Sequence, residues 1–246
     1  MLKSIKILSL ALLILALGGC SSSKRLKEVK KLAVVSLGFN RVIDNYDSAK
    51  DISVEISPQF RELLTLNPVL AKDVKKMVLG GFGETFDLAD PESYVNSKGF
   101  KEWASQNVKS VENVSVTVPG FATTHGKEAF MRLKEAFNYL PADVDAIAYV
   151  SFGSNLSITD IKSNWLKNES VMEDYKLRTS CMIFIYDRAG KLIYTKTRQA
   201  RSDRSMAEQA KQENGEPEDA IEALFLRSCY KVFNEHVDIL KGKLAD

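Results

Sequence analysis

The C-terminal third of this chain carries two patterns that few folds satisfy together. Residues 178–186 and 192–199 are strand-like runs on either side of Asp187-Arg188-Ala189-Gly190-Lys191, where the aspartate favours a turn and the glycine supplies a positive φ. They predict a β-hairpin. Glu216-Pro217-Glu218-Asp219 then opens a helix with acids at its positive end. From Ile221 through Phe225, Ser228, Cys229, Phe233 and His236 to Leu240, apolar or small side chains recur at three- and four-residue spacing for over five turns. A stripe of that length must be buried, and the sheet containing the hairpin is the surface available to it.

Upstream, Lys31 to Phe39 is a short apolar run that reads as a buried first strand. Ile52, Val54 and Ile56 alternate with polar residues and suggest a second, more exposed extended segment. Ser57-Pro58 and Asn67-Pro68 each set a capping side chain before a proline at the first helical position, so the helical stretch breaks in two. The second half, with Leu70, Val74, Met77 and Val78 on one stripe, is expected to stop at Gly80-Gly81. Asp90-Pro91 opens another helical stretch, which includes Trp103. Val114 to Val118 alternates as a strand, and Thr124 or His125 would cap a helix that ends at Pro141. Val144 to Phe152 is strand-like, whereas 153–176 shows no clear pattern. This order gives an α/β class: a central mixed sheet with packed helices, closed by a hairpin and a long amphipathic helix, in one domain over residues 31–246.

The amino terminus sets the compartment. Lys3 and Lys6 precede Ile7 to Leu17, in which Ser9 is the single polar residue, and Gly18-Gly19-Cys20 follows. A positive start, a short apolar segment and small residues before a cut describe an export signal. The apolar segment falls short of the roughly 20 residues that span a bilayer. Leu17-Gly18-Gly19-Cys20 resembles the lipobox of bacterial lipoproteins. That resemblance implies removal of residues 1–19, acylation of Cys20 with palmitate-type chains, and attachment to the cell envelope. Residues 20–30 then read as a flexible polar tether. Ser21, where an aspartate would favour retention at the inner membrane, points towards the periplasmic face of the outer membrane.

The full chain has 34 Lys and Arg against 32 Asp and Glu. Loss of the leader removes two lysines and leaves a neutral mature protein, with no overall field to attract nucleic acid. With 45% hydrophobic and 27% charged residues, the remainder has a globular composition.

The apolar first strand Leu32-Ala33-Val34-Val35-Ser36-Leu37, a helix ending near Pro141, the strand Asp143 to Phe152, the turn 187–191 and the closing helix together resemble a group of envelope lipoproteins. Their domain is similar to the amino-terminal domain of the Tol-system propeller protein, and the curli-secretion lipoprotein and the lipoprotein activators of peptidoglycan synthases belong with them. The resemblance implies a docking and assembly role, not catalysis. A ring-forming secretion component would need a membrane-spanning β segment, for which no sufficiently long alternating hairpin is evident.

Chemistry-bearing motifs are sparse. Gly120 to Glu128 follows a strand and opens a helix, but five residues separate its glycines and Glu128 stands where a phosphate loop needs a hydroxyl. Gly80-Gly81-Phe82-Gly83 lacks dinucleotide spacing and reads as a helix stop with a loop. His125 and His236 are far apart, without cysteines at ligand spacing, so neither a structural metal nor a cofactor is expected. His236 falls on the buried stripe as a core residue. With Cys20 acylated, Cys181 and Cys229 remain and could form a disulfide if the helix packs on the strand, the alternative being two separately buried thiols. Arg198, Arg201 and Arg204 suggest an anion-binding patch for lipid headgroup, cell-wall polymer or acidic protein, or else a charged edge strand. The functional expectation is a membrane-anchored, non-catalytic binding or assembly accessory whose partner is an envelope protein or the cell wall. The alternative is a lipid-anchored periplasmic hydrolase using acids in 80–92 or 153–170.

Overall fold

The computed structural model describes residues 24–47, 52–53, 58–105, 114–123, 133–158, 175–212 and 217–245. Its centre is a mixed sheet built on β1 (Lys31–Asn40) and β6 (Ala146–Ile158), which run parallel. β7 (Tyr175–Asp187) and β8 (Leu192–Arg201) extend the sheet antiparallel on the β6 side. The short β4 (Asp87–Leu88) pairs parallel with the start of β1, and β5 (Ser115–Thr117) pairs antiparallel with its end. The remaining two strands, β2 (Tyr46–Asp47) and β3 (Ile52–Ser53), pair only with each other. The mixed α/β class therefore stands.

Burial explains why these strands read differently. The eight central residues of β1 are buried, so it is a continuous apolar run. In β7, buried and half-buried residues alternate, and Leu177, Cys181, Ile183 and Ile185 face the covering helices. On that first face lie α2 (Ala71–Gly83), α5 (Met206–Gln212) and α6 (Pro217–Ala245). Ile221, Phe225, Cys229, Val232, Phe233 and Leu240 of α6 are all buried, as the spacing required. A smaller core covers the second face. It joins Ala33 and Tyr149 of the sheet to Tyr94 of α3 (Glu92–Val95), to Phe100 and Trp103 of α4 (Lys98–Ala104), and to Ala136 of the 3-10 helix Leu133–Tyr139. Among the described residues, no helix is long and apolar enough to cross a membrane.

Several local expectations hold. Asn67 caps the 3-10 turn Pro68–Leu70 by accepting from the Val69 amide at 3.0 Å. Gly190 has φ 75° in the hairpin turn, where Asp187 Oδ1 accepts from the Lys191 amide at 2.8 Å. Other expectations need correction. α2 does not stop at Gly80-Gly81 but continues to Gly83. A Cβ on Gly81 would lie 2.6 Å from Phe233 Cε1, whereas one on Gly80 would meet nothing within 4 Å. Gly81 is there for close helix packing, not for termination. The segment before Pro141 is a 3-10 helix where described, and its expected cap and first turns at 124–132 lie outside the described residues. Residues 153–158 extend β6, and 159–174 lie outside the described residues. Ser57, the expected cap of α1 (Pro58–Leu63), and the 54–56 part of the second extended segment also lie outside them.

The tether also changes. Residues 24–27 are helical, Leu26 is 1% exposed within the main core, and Val29 packs against the same core. Arg25 Nη1 bonds Asp187 Oδ2 at 2.9 Å. The folded unit thus includes residues 24–30, which the sequence reads as tether. Burial of one leucine and a charged contact to the hairpin turn draw these residues onto the sheet.

Candidate functional site

The three arginines expected to share a patch do not share one. Strand side chains alternate between faces, so Arg198 and Arg201, three positions apart, point to opposite sides of β8. Arg198 lies opposite Cys181 in the register, on the side covered by α6, while Arg201 lies opposite Arg178 on the other side. Arg204 sits beyond the strand, where the chain turns into α5.

That turn builds a different site. Ser202 Oγ accepts from the Leu177 amide at 3.0 Å and donates to the Arg204 carbonyl at 2.7 Å, holding the chain as it leaves the sheet. Ser205 and Glu208 then form a reciprocal helix cap: Ser205 N donates to Glu208 Oε2 at 2.7 Å and Glu208 N to Ser205 Oγ at 3.2 Å. This fixes the start of α5, and a bond from Arg227 to Gln209 links α5 to α6. Between them lies a cleft of about 180 Å³ lined by residues including Asp203, Arg204, Gln209, Arg227, Ser228 and Lys231. Its volume is below the roughly 300–1,000 Å³ that encloses a drug-sized ligand, so it suits a small group.

The electrostatics are one-sided. Gln209 is fully buried, and its Oε1 accepts from Arg204 Nη1 at 3.5 Å and from Arg227 Nη1 at 3.3 Å. Two guanidiniums thus converge on one neutral oxygen, with a further bond from Arg204 to Gln212 Oε1. Lys231 Nζ pairs with Asp203 Oδ1 at 2.6 Å, and Lys176 Nζ donates to the Asp203 carbonyl at 2.6 Å. The Lys231 bond holds the Asp203 carboxyl below its ordinary range, helped by Lys176 and Arg204. Glu208 is likewise held low, chiefly by the Ser205 amide. Among the described residues at this corner, Lys176, Arg204, Arg227 and Lys231 therefore stand against Asp203, which is bonded to a lysine, and Glu208, which caps a helix. Ser228 is 2% exposed, and its Oγ has no hydrogen-bond partner among the described residues. A buried hydroxyl without a partner loses its solvation uncompensated, and a bound oxyanion at this cleft would supply an acceptor. The arrangement is chemically fit to hold phosphate or carboxylate through forked guanidinium donors.

Other candidates have structural roles. His236 is buried, with Tyr194 Oη against Nδ1 at 3.1 Å and Nε2 against the Cys181 carbonyl at 3.0 Å. The carbonyl only accepts, so Nε2 carries the proton and Nδ1 accepts from tyrosine. Burial lowers the imidazole to about 4, so it is neutral at pH 7. Cys181 and Cys229 are free thiols, the second of the two states the sequence left open. Both pack as small apolar residues where α6 meets the sheet, and burial raises both thiols well above their usual range. Of the acids in 80–92, Glu84 pairs with Lys241 at 2.7 Å and Asp90 accepts from the Glu92 amide at 3.1 Å. Both of these carboxylates have structural partners. Among the described residues, no cluster of three or more His, Cys, Asp or Glu forms a metal site. His125 and residues 159–170 lie outside the described residues, as does Cys20.

Arg227, Ser228, Lys231, Gln209 and Lys176 were missed from sequence. A signal existed for some. Arg227 and Lys231 are four apart on a helix, flanking the apolar stripe, and Ser205-Met206-Ala207-Glu208 has the spacing of a capping box. Comparison with protein-family models and with curated protein sequences gives no match.

Proposed function

We propose that this chain is a bacterial envelope lipoprotein, anchored by acylation of Cys20 and facing the periplasm, most simply from the outer membrane. Its folded domain acts as a non-catalytic binding or assembly accessory, and the basic cleft between α5 and α6 takes an anionic group of an envelope protein or cell-wall component. The observation that carries the reading is the succession of an export-type segment, Leu17-Gly18-Gly19-Cys20, and, six residues on, a folded domain in which Leu26 is already buried. Acyl chains hold such a protein at the membrane because each buried CH₂ contributes about 0.8 kcal/mol and more than one chain makes release slow. The alternative hydrolase reading draws no support from Glu84 and Asp90, whose carboxylates serve the fold. Replacement Cys20→Ser tests the proposal. Metabolic labelling with a fatty-acid analogue should lose its signal and the protein should leave the membrane fraction, while its circular dichroism is unchanged. Continued lipid labelling of this variant defeats the reading.

A further inference from the structure

We infer that the end of the sheet carrying the hairpin turn 187–191 rests on the anionic bilayer surface that holds the lipid of Cys20, so that the basic cleft faces away from that membrane. The inference rests on the lipoprotein reading and adds an orientation to it.

Chain length is the first constraint. Residues 20–23 precede Lys24, from which the chain is docked on the sheet through Arg25 and Leu26. Four residues reach at most about 14 Å, at roughly 3.3–3.6 Å each. The docked segment cannot lengthen this leash cheaply, because Leu26 is buried and Arg25 is tied to Asp187. β1 starts at Lys31, and the register aligns Leu32 with Ala146, Ala146 with Asp187, and Tyr186 with Leu192. The anchor, the 141–145 loop and the hairpin turn therefore share one end of the sheet.

Charge decides which surface at that end meets the headgroups. Segments 24–31, 141–145 and 187–191 hold seven cationic side chains and four acidic ones. Asp187 is engaged by Arg25 and Asp143 by Lys31, while Asp145 accepts from the Lys30 and Lys31 amides at 3.1 and 3.0 Å. Lys24, Lys27, Lys30, Arg188 and Lys191 are exposed, and so is one acid, Glu28. Nearby, Asp87 of β4 lies beside Lys31 in the register, and Glu84 is paired with Lys241. A basic surface on so short a leash matches an anionic lipid face.

The cleft lies at the opposite end. Nine steps of about 3.3 Å along β8 from Leu192 to Arg201 place it about 30 Å away, beyond the reach of the leash. α6 runs back along β8, with Ser228 at the cleft and His236 against Tyr194 near the start of that strand. The anion held at the cleft therefore comes from the periplasmic side and is not a headgroup of the anchoring leaflet.

The full acylated protein, reconstituted in phosphatidylethanolamine–phosphatidylglycerol vesicles, provides the test. Ala189→Cys in the turn and Gln199→Cys near the far end are each exposed positions and would be coupled to the same fluorophore. Cys181 and Cys229 are buried and Cys20 is consumed by the lipid linkage, so labelling is selective. A nitroxide lipid should quench the probe at 189 at least about threefold more than that at 199, since quenching decays over a distance shorter than the strand. Equal quenching, or stronger quenching at 199, overturns the orientation while leaving lipid attachment intact. Failure of the protein to float with the vesicles overturns the lipoprotein reading itself. Arg188→Glu with Lys191→Glu should weaken the contrast, and an unchanged contrast removes charge as its cause.

Discussion

The two ends of the sheet use positive charge in opposite ways. At the anchor end, Arg25 and Lys31 meet Asp187 and Asp143 at 2.9 and 2.7 Å, and these contacts bind the start of the chain to the hairpin and to the loop before β6. At the far end, Arg204 and Arg227 share the amide oxygen of Gln209, and among the described residues neither guanidinium is bonded to a carboxylate. Cations matched to acids stitch the fold. Cations gathered on a neutral acceptor beside an unpartnered hydroxyl leave their attraction available to something outside the chain.

The strongest way to break this comparison is at Leu26. Leu26→Ala should lower stability by about 2–5 kcal/mol in denaturant unfolding, because it empties a core site and undocks the start of the domain. A loss below about 0.5 kcal/mol, the size of an ordinary surface change, would mean that 24–27 do not belong to the folded unit. Between the two ends, His236 supplies a pH-dependent reference. Its folded value of about 4 lies below the ordinary 6.5, so the unfolded chain binds the extra proton between those values. The contribution is complete above pH 6.5 and is lost as pH falls towards 4, by an amount on the order of 2–3 kcal/mol. Comparing wild type with His236→Phe across that window should show the pH slope flattened in the variant; parallel curves would contradict the burial of the imidazole.

The cleft is tested by its ligand. Wild-type protein titrated calorimetrically with inorganic phosphate should bind, and Arg227→Ala should weaken binding about tenfold, or about 1.4 kcal/mol. Equal affinity in the two proteins removes the anion site. The smallest effect sharpens the contrast from the other side. Arg25→Ala should cost no more than about 1 kcal/mol, since its ion pair is partly exposed and screened. It should leave phosphate binding unchanged, as titration of the same variant would show.

The long elements were legible because their signals are local. The hairpin turn needs an aspartate and a positive-φ glycine, and α6 needs a stripe at helical spacing; both are written in consecutive residues. Gly81 was misread because a glycine that ends a helix and one that admits a neighbouring Phe233 are the same letter. The arginine patch was misread for another reason. Positions 198 and 201 are close in number, but an odd step along a strand reverses the face. Gln209, Arg227 and Lys231 come from α5 and α6, so no single stretch of sequence contains the cleft.

The sequence alone determined the buried first strand, the hairpin, the face of α6 that is buried and the lipobox-like motif, since each depends on neighbours within a few residues. Only the tertiary structure decided that Lys24 to Val29 belong to the domain, that Cys181 and Cys229 stay as thiols, and that Arg204 from the turn before α5 and Arg227 from α6 meet on Gln209. Those outcomes depend on which surfaces are brought together across the sheet, and long-range packing fixes that where local propensity does not.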